Sequence, residues 1–182
     1  MRKWNTLISL LVILLFVFHA VFGGFQLAGI MEGGSALMQV TAWLMLGLII
    51  LHALIGCVLT GQTLKAVRKS GVSYFKENKL FWARRISGFA ILLFILFHVL
   101  IFIGRNEGAF RLNYFGTAQL ISQILLVITV AVHVITNVKP VLIAAGIPGL
   151  KKYVVDILLV LAILLLLSGA AFVIYYLRWR MI

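Results

Sequence analysis

The sequence predicts an all-α integral membrane protein with five membrane-spanning helices. Hydrophobic residues make up 64% of the 182 residues and charged residues only 11%, a balance far outside that of a water-soluble globular protein. Apolar runs long enough to cross a bilayer, which takes about 20 residues, occur five times. They cover 4–30, 36–60, 80–104, 115–138 and 153–177. The length fits one domain, 1–182.

The basic residues fall unevenly on the connections between these runs. The chain carries 16 Lys and Arg against 4 Asp and Glu, a net charge of +12. In a soluble chain this would favour nucleic acid as a partner. Here twelve of the basic residues precede run 1 or join runs 2 to 3 and 4 to 5, and four lie on the other side. Because cytoplasmic loops are rich in Lys and Arg, we expect the lipid bilayer and no nucleic acid as partner, the N-terminus inside and the C-terminus outside.

The first two runs each carry one histidine. His19 lies 16 residues beyond Lys3, which at 1.5 Å per residue is roughly 24 Å from the inner surface. A short link that contains Glu32 makes the two runs antiparallel neighbours. His52 lies eight residues before Thr60, roughly 12 Å above the inner boundary if the helix ends there.

The segment from Gly61 to Lys79 mixes basic and apolar residues. That composition is typical of a loop or a short interfacial helix on an anionic inner leaflet. A docking surface for a partner is the alternative.

The third and fourth runs repeat the arrangement. His98 lies 13 residues after Arg85, roughly 20 Å from the inside, and His133 lies six residues before Lys139, roughly 9 Å from the inside. Pro140 is expected to end the regular helix. The fifth run contains no histidine.

The four histidines therefore alternate in depth. His19 and His98 share an outer level, and His52 and His133 share an inner level. Facing imidazoles on diagonal helices of a four-helix bundle hold the iron of a porphyrin in many proteins. We expect runs 1 to 4 to form such a bundle around two haems, with run 5 packed outside it. Without a C-x-x-C-H motif, the haems would be bound non-covalently.

Two other interpretations of the histidines stay open. Each could form a hydrogen bond across helices, as polar side chains in membranes do. They could also line a path for a metal ion or for protons. Such paths usually contain several carboxylates, whereas the apolar runs offer almost none besides Asp156.

Several residues carry a resemblance to a known family. They are Arg85-Ile86-Ser87-Gly88 followed by His98, and His133 with Asn137 leading to Gly146-Ile147. With the order of the histidines and the bare fifth run, the chain resembles the five-helix di-haem cytochrome b subunit of succinate dehydrogenases and fumarate reductases. The resemblance covers nearly the whole chain.

The resemblance implies a membrane anchor with two haems b that exchanges electrons with menaquinone or ubiquinone. It also implies a bacterial-type cytoplasmic membrane and two partners on the inner face, an FAD-containing flavoprotein subunit and an iron–sulfur subunit, with the dicarboxylate active site on a partner chain. His19 and His98 would then bind the outer haem, and His52 and His133 the inner haem. Candidates for propionate or partner contacts are Arg84, Arg85 and Ser87.

The quinone site is expected at the outer end, where Gln26 and Glu32 offer hydrogen-bonding groups. The chain departs from some family members before His133, where Ala131 and Val132 stand in place of an acidic residue. A proton route beside the electrons is therefore not expected. A cytochrome b of a hydrogenase or formate dehydrogenase is the nearest alternative, but it tends to place two haem ligands on one helix.

Overall fold

A computed structural model of the chain consists of five long helices. It describes residues 1–70, 78–103, 114–146 and 149–181. Each long helix is apolar enough to cross a membrane, which confirms the predicted all-helical architecture with five helices that could span a bilayer. The helices are α1 (Arg2–Ala28), α2 (Ala36–Ser70), α3 (Lys79–Phe102), α4 (Thr117–Ala145) and α5 (Val154–Arg180), and a short 3₁₀ helix (Leu150–Tyr153) precedes α5.

Local signals set several of the helix ends. α1 and α4 are each followed directly by a glycine, Gly29 with φ of 78° and Gly146 with φ of 68°. This is a left-handed conformation that glycine adopts without steric cost. α3 begins after Asn78, whose side chain accepts a hydrogen bond from the backbone N–H of Phe81 at 3.2 Å. This contact satisfies one of the free N–H groups in the first turn of α3.

α2 continues ten residues past its expected end at Thr60 and reaches Ser70. A single glycine such as Gly61 costs a helix only about 1 kcal/mol, and the residues that follow it include strong helix formers. The part of the predicted loop from 61 to 70 is therefore helical. Residues 71–77 of that loop lie outside the described residues.

α4 runs through Pro140 to Ala145, which corrects the expectation that Pro140 ends it. Proline has no N–H, so the carbonyl of Thr136 four residues earlier loses its helical donor. Nε of Arg84, on α3, donates to that carbonyl at 2.9 Å. A side chain from the neighbouring helix thus replaces the missing hydrogen bond.

The helices pack as a set of neighbours. α3 packs most extensively against α4, and α1 packs against both α2 and α5. α4 also contacts α5 and, less extensively, α1. No comparable packing joins α1 to α3 or α2 to α4 in the described ranges.

α5 supplies side chains to both buried apolar clusters. One cluster contains Phe115, Phe172 and Tyr175, and the other contains Leu161 with two residues of α4. α5 is therefore held against α1 and α4 by apolar packing. Its place outside a four-helix core stays a prediction.

Candidate functional site

The four histidines form two ring pairs. The ring centroids of His19 and His98 lie 6.0 Å apart, and those of His52 and His133 lie 6.4 Å apart. The first pair joins α1 to α3 and the second joins α2 to α4, which are the helices that do not pack extensively against each other. The structure thus brings together the same histidines that were expected to share a level in the membrane.

The ring separations fit two imidazoles on one metal ion. Nitrogen ligands lie about 2 Å from a transition metal, and a ring centroid lies about 1 Å behind its nitrogen, so two axial imidazoles on one haem iron place their centroids roughly 6 Å apart. The interplanar angles of 73° and 90° also occur in direct edge-to-face packing, which spans about 4.5–7 Å. The protonation of the rings separates the two interpretations.

Three polar residues are buried in the described part of the chain, namely Ser9, Ser87 and Gln123. Each forms a hydrogen bond with Nδ1 of a different histidine. The three contacts are Ser9 with His52 at 3.3 Å, Ser87 with His133 at 3.1 Å and Gln123 with His98 at 2.7 Å. The buried polar side chains of the described residues are therefore all hydrogen-bonded to histidines.

The serine hydroxyls at the inner rings each have a second contact, to a backbone carbonyl. Oγ of Ser9 lies 2.8 Å from the carbonyl of Asn5, and Oγ of Ser87 lies 3.2 Å from the carbonyl of Arg84. When the hydroxyl proton goes to the carbonyl, the serine oxygen accepts a hydrogen bond from its histidine. In this arrangement Nδ1 of His52 and of His133 carries the proton, and Nε2 of both rings keeps a free lone pair.

With the protons on Nδ1, the rings of His52 and His133 cannot form a hydrogen bond with each other. Because the one N–H of His52 and the one N–H of His133 are both used on serines, neither ring has a proton left to donate to the other. Among the described residues, Nε2 of these rings has no hydrogen-bond partner. Two lone-pair donors held about 6 Å apart between centroids are suited to an electron-pair acceptor such as a metal ion.

The number of histidines at each pair limits which metal centre could be held there. Within the described ranges, no three or more side chains of His, Cys, Asp or Glu gather at one place. A structural zinc site needs four ligands and a catalytic one needs three. A haem iron takes four ligands from the porphyrin and needs only two from the protein, so the pairs fit haem better than a bare ion.

His19 differs from the other three rings. Its Nδ1 is buried and has no hydrogen-bond partner among the described residues. Such an orphaned nitrogen is costly in an apolar interior. Its ring partner, His98, also contacts the rings of Phe102 and Phe172, with centroids 5.0 and 6.1 Å away.

A glycine allows the close approach of one ring. A β-carbon on Gly88 of α3 would lie 3.4 Å from Cε1 of His133, so a side chain larger than alanine would displace that ring. Two other glycines, Gly23 and Gly56, each follow a histidine by one helical turn. A β-carbon on Gly56 would lie 3.5 Å from the guanidinium of Arg85, and a β-carbon on Gly23 would have no neighbour within 4 Å. Of the glycines that the structure describes, Gly88 alone is placed to shape the position of a histidine.

The predicted propionate contacts lie beside the His52–His133 pair. Ser87 is engaged with His133, and Nε of Arg84 is engaged with the carbonyl of Thr136. The guanidinium of Arg85 lies over the ring of Phe81 at 5.2 Å, and its charge acts on both rings of the pair. The two arginines thus place positive charge at this pair, and their contact with propionates stays a prediction.

The predicted quinone residues are close to each other. Nε2 of Gln26 donates to the backbone carbonyl of Glu32 at 3.2 Å, and the side chain of Glu32 is exposed. The contact is made to the backbone, so the carboxylate is not engaged by Gln26. A role of either residue in quinone binding stays a prediction.

Comparison with known proteins adds no family to this geometry. No protein-family model, no curated protein and no solved structure matches the chain. The resemblance to di-haem cytochrome b subunits therefore stays a prediction. What supports a function is the set of histidines and their partners.

Two of the histidine partners, Ser9 and Gln123, do not stand out in the sequence by a motif. Their depth is the signal that could have found them. Gln123 lies 16 residues before Lys139, roughly 24 Å from the inside, which is near the level of His98. Ser9 lies at roughly 9 Å by the same measure, near the level of His52.

Proposed function

We propose that the chain is the membrane anchor and electron-transfer subunit of a succinate dehydrogenase or fumarate reductase complex. In this function, electrons pass between quinone and an iron–sulfur partner through two b haems, each held by two histidines. The dicarboxylate chemistry belongs to a flavoprotein partner. The single observation that carries the proposal is the close pair of histidine rings found twice in one helical protein.

The surroundings of the rings support haem ligation over packing. Ser9 holds the ring of His52 at Nδ1, and Ser87 holds the ring of His133 at Nδ1, each by a hydrogen bond across helices. Metal-bound histidines usually donate their other ring N–H to an oxygen in this way. These contacts leave Nε2 of both rings without a partner among the described residues.

The residues of this chain would have separate tasks toward bound haem. A bis-histidine haem takes up and releases one electron at a time. His19 with His98 and His52 with His133 would hold the iron on both faces. Ser9 and Ser87 would fix the orientation of their rings, and the charges of Arg84 and Arg85 would balance haem propionates near the second pair.

Haem content tests this proposal directly. The full chain, produced in cells that make haem and purified in detergent, is expected to give a reduced-minus-oxidised spectrum of a b-type cytochrome. A pyridine-haemochrome assay is expected to count two haems per chain. A purified chain with no haem absorption would overturn the proposal, and one haem per chain would contradict the pairing.

The partners are tested separately. Mild solubilisation of membranes from the native cell, followed by affinity capture of the chain, is expected to yield a flavoprotein and an iron–sulfur protein. A captured complex that reduces quinone with succinate would support the succinate dehydrogenase or fumarate reductase assignment. Capture of a hydrogenase or formate dehydrogenase subunit would keep the two haems and overturn the identity of the complex.

A further inference from the structure

Gln123 lies on the second turn of the apolar helix α4 and is fully buried. An amide placed in an apolar interior without partners costs several kcal/mol, roughly 2–7 depending on the reference state. Both ends of this amide have partners: Oε1 meets Nδ1 of His98 at 2.7 Å, and Nε2 meets the hydroxyl of Ser122 at 3.0 Å. The side chain is thus held between one histidine and one serine.

The orientation of the amide follows from the proton of Ser122. That hydroxyl donates to the carbonyl of Gln119 at 2.7 Å, so its oxygen can only accept from Gln123. The group that faces Ser122 must be the NH₂ of the amide, and the oxygen must face His98. Nδ1 of His98 therefore carries the proton and donates it to Gln123.

We infer that Gln123 is a positioning residue for His98, which sets its tautomer and raises the electron-donating strength of its Nε2. A hydrogen bond from one ring nitrogen to an oxygen fixes the ring and makes the other nitrogen a stronger ligand. The tautomer part of this inference stands on the hydrogen bonds alone. The effect on a metal rests on the proposed haem function.

The contact of Gln123 differs from the two serine contacts. At 2.7 Å it is shorter than the contacts of Ser87 and Ser9, which are 3.1 and 3.3 Å. Its acceptor is an amide carbonyl oxygen, whereas theirs is a hydroxyl oxygen. The opposite ring of the pair, His19, has no such partner at Nδ1 within the described part of the chain. Among the described residues, Gln123 is therefore the group that tunes this pair through a ring nitrogen.

A redox titration of the two haems tests the effect on the metal. A more strongly donating ligand stabilises the oxidised iron, so Gln123→Leu is expected to move the midpoint potential of one haem to a more positive value and to leave the other unchanged. The reduced-to-oxidised ratio of that haem at a fixed potential should rise several-fold, where tenfold corresponds to about 59 mV for one electron. Equal shifts of both haems, or none, would overturn the inference.

The matched control is Gln119→Leu, the same change one turn earlier on α4. The side chain of Gln119 accepts from the backbone N–H of Gly116 at 3.1 Å and does not touch a histidine, so both potentials should stay unchanged. Ser122→Ala is a milder variant that keeps the amide but removes the oxygen that orients it. It is expected to shift the same haem in the same direction by less than Gln123→Leu.

Nitrogen NMR of the full chain without haem, in lipid bilayers, separates this inference from the proposed function. With ¹⁵N-labelled histidine, His98 is expected to carry its proton on Nδ1 in the wild type and to populate both tautomers in Gln123→Leu. Unchanged tautomers would overturn the inference even if two haems bind. A chain that binds no haem but shows this change would overturn only the proposed function.

Discussion

The two histidine pairs have nearly the same ring separation and very different surroundings. Nδ1 of His52 and Nδ1 of His133 each form a hydrogen bond with a serine on the neighbouring helix, and the charges of two arginines act on this pair. The other pair has one buried amide at His98 and, among the described residues, no partner at Nδ1 of His19. Aromatic rings of Phe102 and Phe172 flank it instead.

The difference shows that the geometry of a pair and its electrostatics are set by separate residues. Under the proposed function, two imidazoles would ligate the iron in each pair alike. Positive charge, hydrogen-bond acceptors and apolar rings around the ligands change how readily that metal accepts an electron. Under the proposed function, the two haems of this chain therefore have different potentials although their ligands are identical.

Removal of one histidine from each pair tests most directly whether the pairs are independent. His98→Ala is expected to lose the haem of its own pair and keep the other, because two axial ligands hold each iron. His133→Ala should give the reverse. Pyridine-haemochrome counting should give one haem per chain in each variant, and two haems retained in either would contradict the pairing.

The next largest effect is expected at Gly88, which lies against the ring of His133. Gly88→Leu places several carbon atoms where a β-carbon alone would lie 3.4 Å from the ring of His133. Loss of most of one haem is expected, with the spectrum of the other unchanged. Gly169→Leu, on α5 where nothing lies within 4 Å, should keep both haems, and equal losses in the two variants would show that the effect is not local.

A smaller effect is expected at Arg84, which donates the hydrogen bond that Pro140 cannot donate to the carbonyl of Thr136. Arg84→Gln leaves the carbonyl of Thr136 without its donor, which should lower the free energy of unfolding by about 1–3 kcal/mol. In a Pro140→Ala background the restored backbone N–H can donate to Thr136, so the same substitution should cost less. Unfolding of all four proteins in a denaturing detergent measures this coupling, and fully additive effects would contradict the explanation.

The smallest effect is expected from a serine contact. Ser87→Ala removes the acceptor of Nδ1 of His133 and should move the potential of that haem to a more positive value. The change in the reduced-to-oxidised ratio should stay below tenfold, since a neutral hydrogen bond contributes about 1 kcal/mol. Ser168→Ala, whose hydroxyl bonds only within α5, serves as the control in the same redox titration, and a shift in this control as large as that of Ser87→Ala would refute a specific role of Ser87.

Much of the fold could be predicted because membrane helices are encoded locally. Twenty apolar residues in a row specify a span wherever it lies in the fold, since every backbone polar group must be satisfied within the segment. The helix ends were harder to predict. α2 continues past Gly61 and α4 continues past Pro140, and the second case depends on Arg84, which is 52 residues away in the sequence.

The sequence by itself determined the five long apolar helices, and it predicted the levels of the histidines, because the rise per residue of a helix is constant. From those levels it also determined which rings can meet. Only the tertiary structure decided which oxygen receives each Nδ1 proton. That choice depends on how each helix is rotated about its axis and how closely its neighbour approaches, and both follow from side-chain packing between distant parts of the chain.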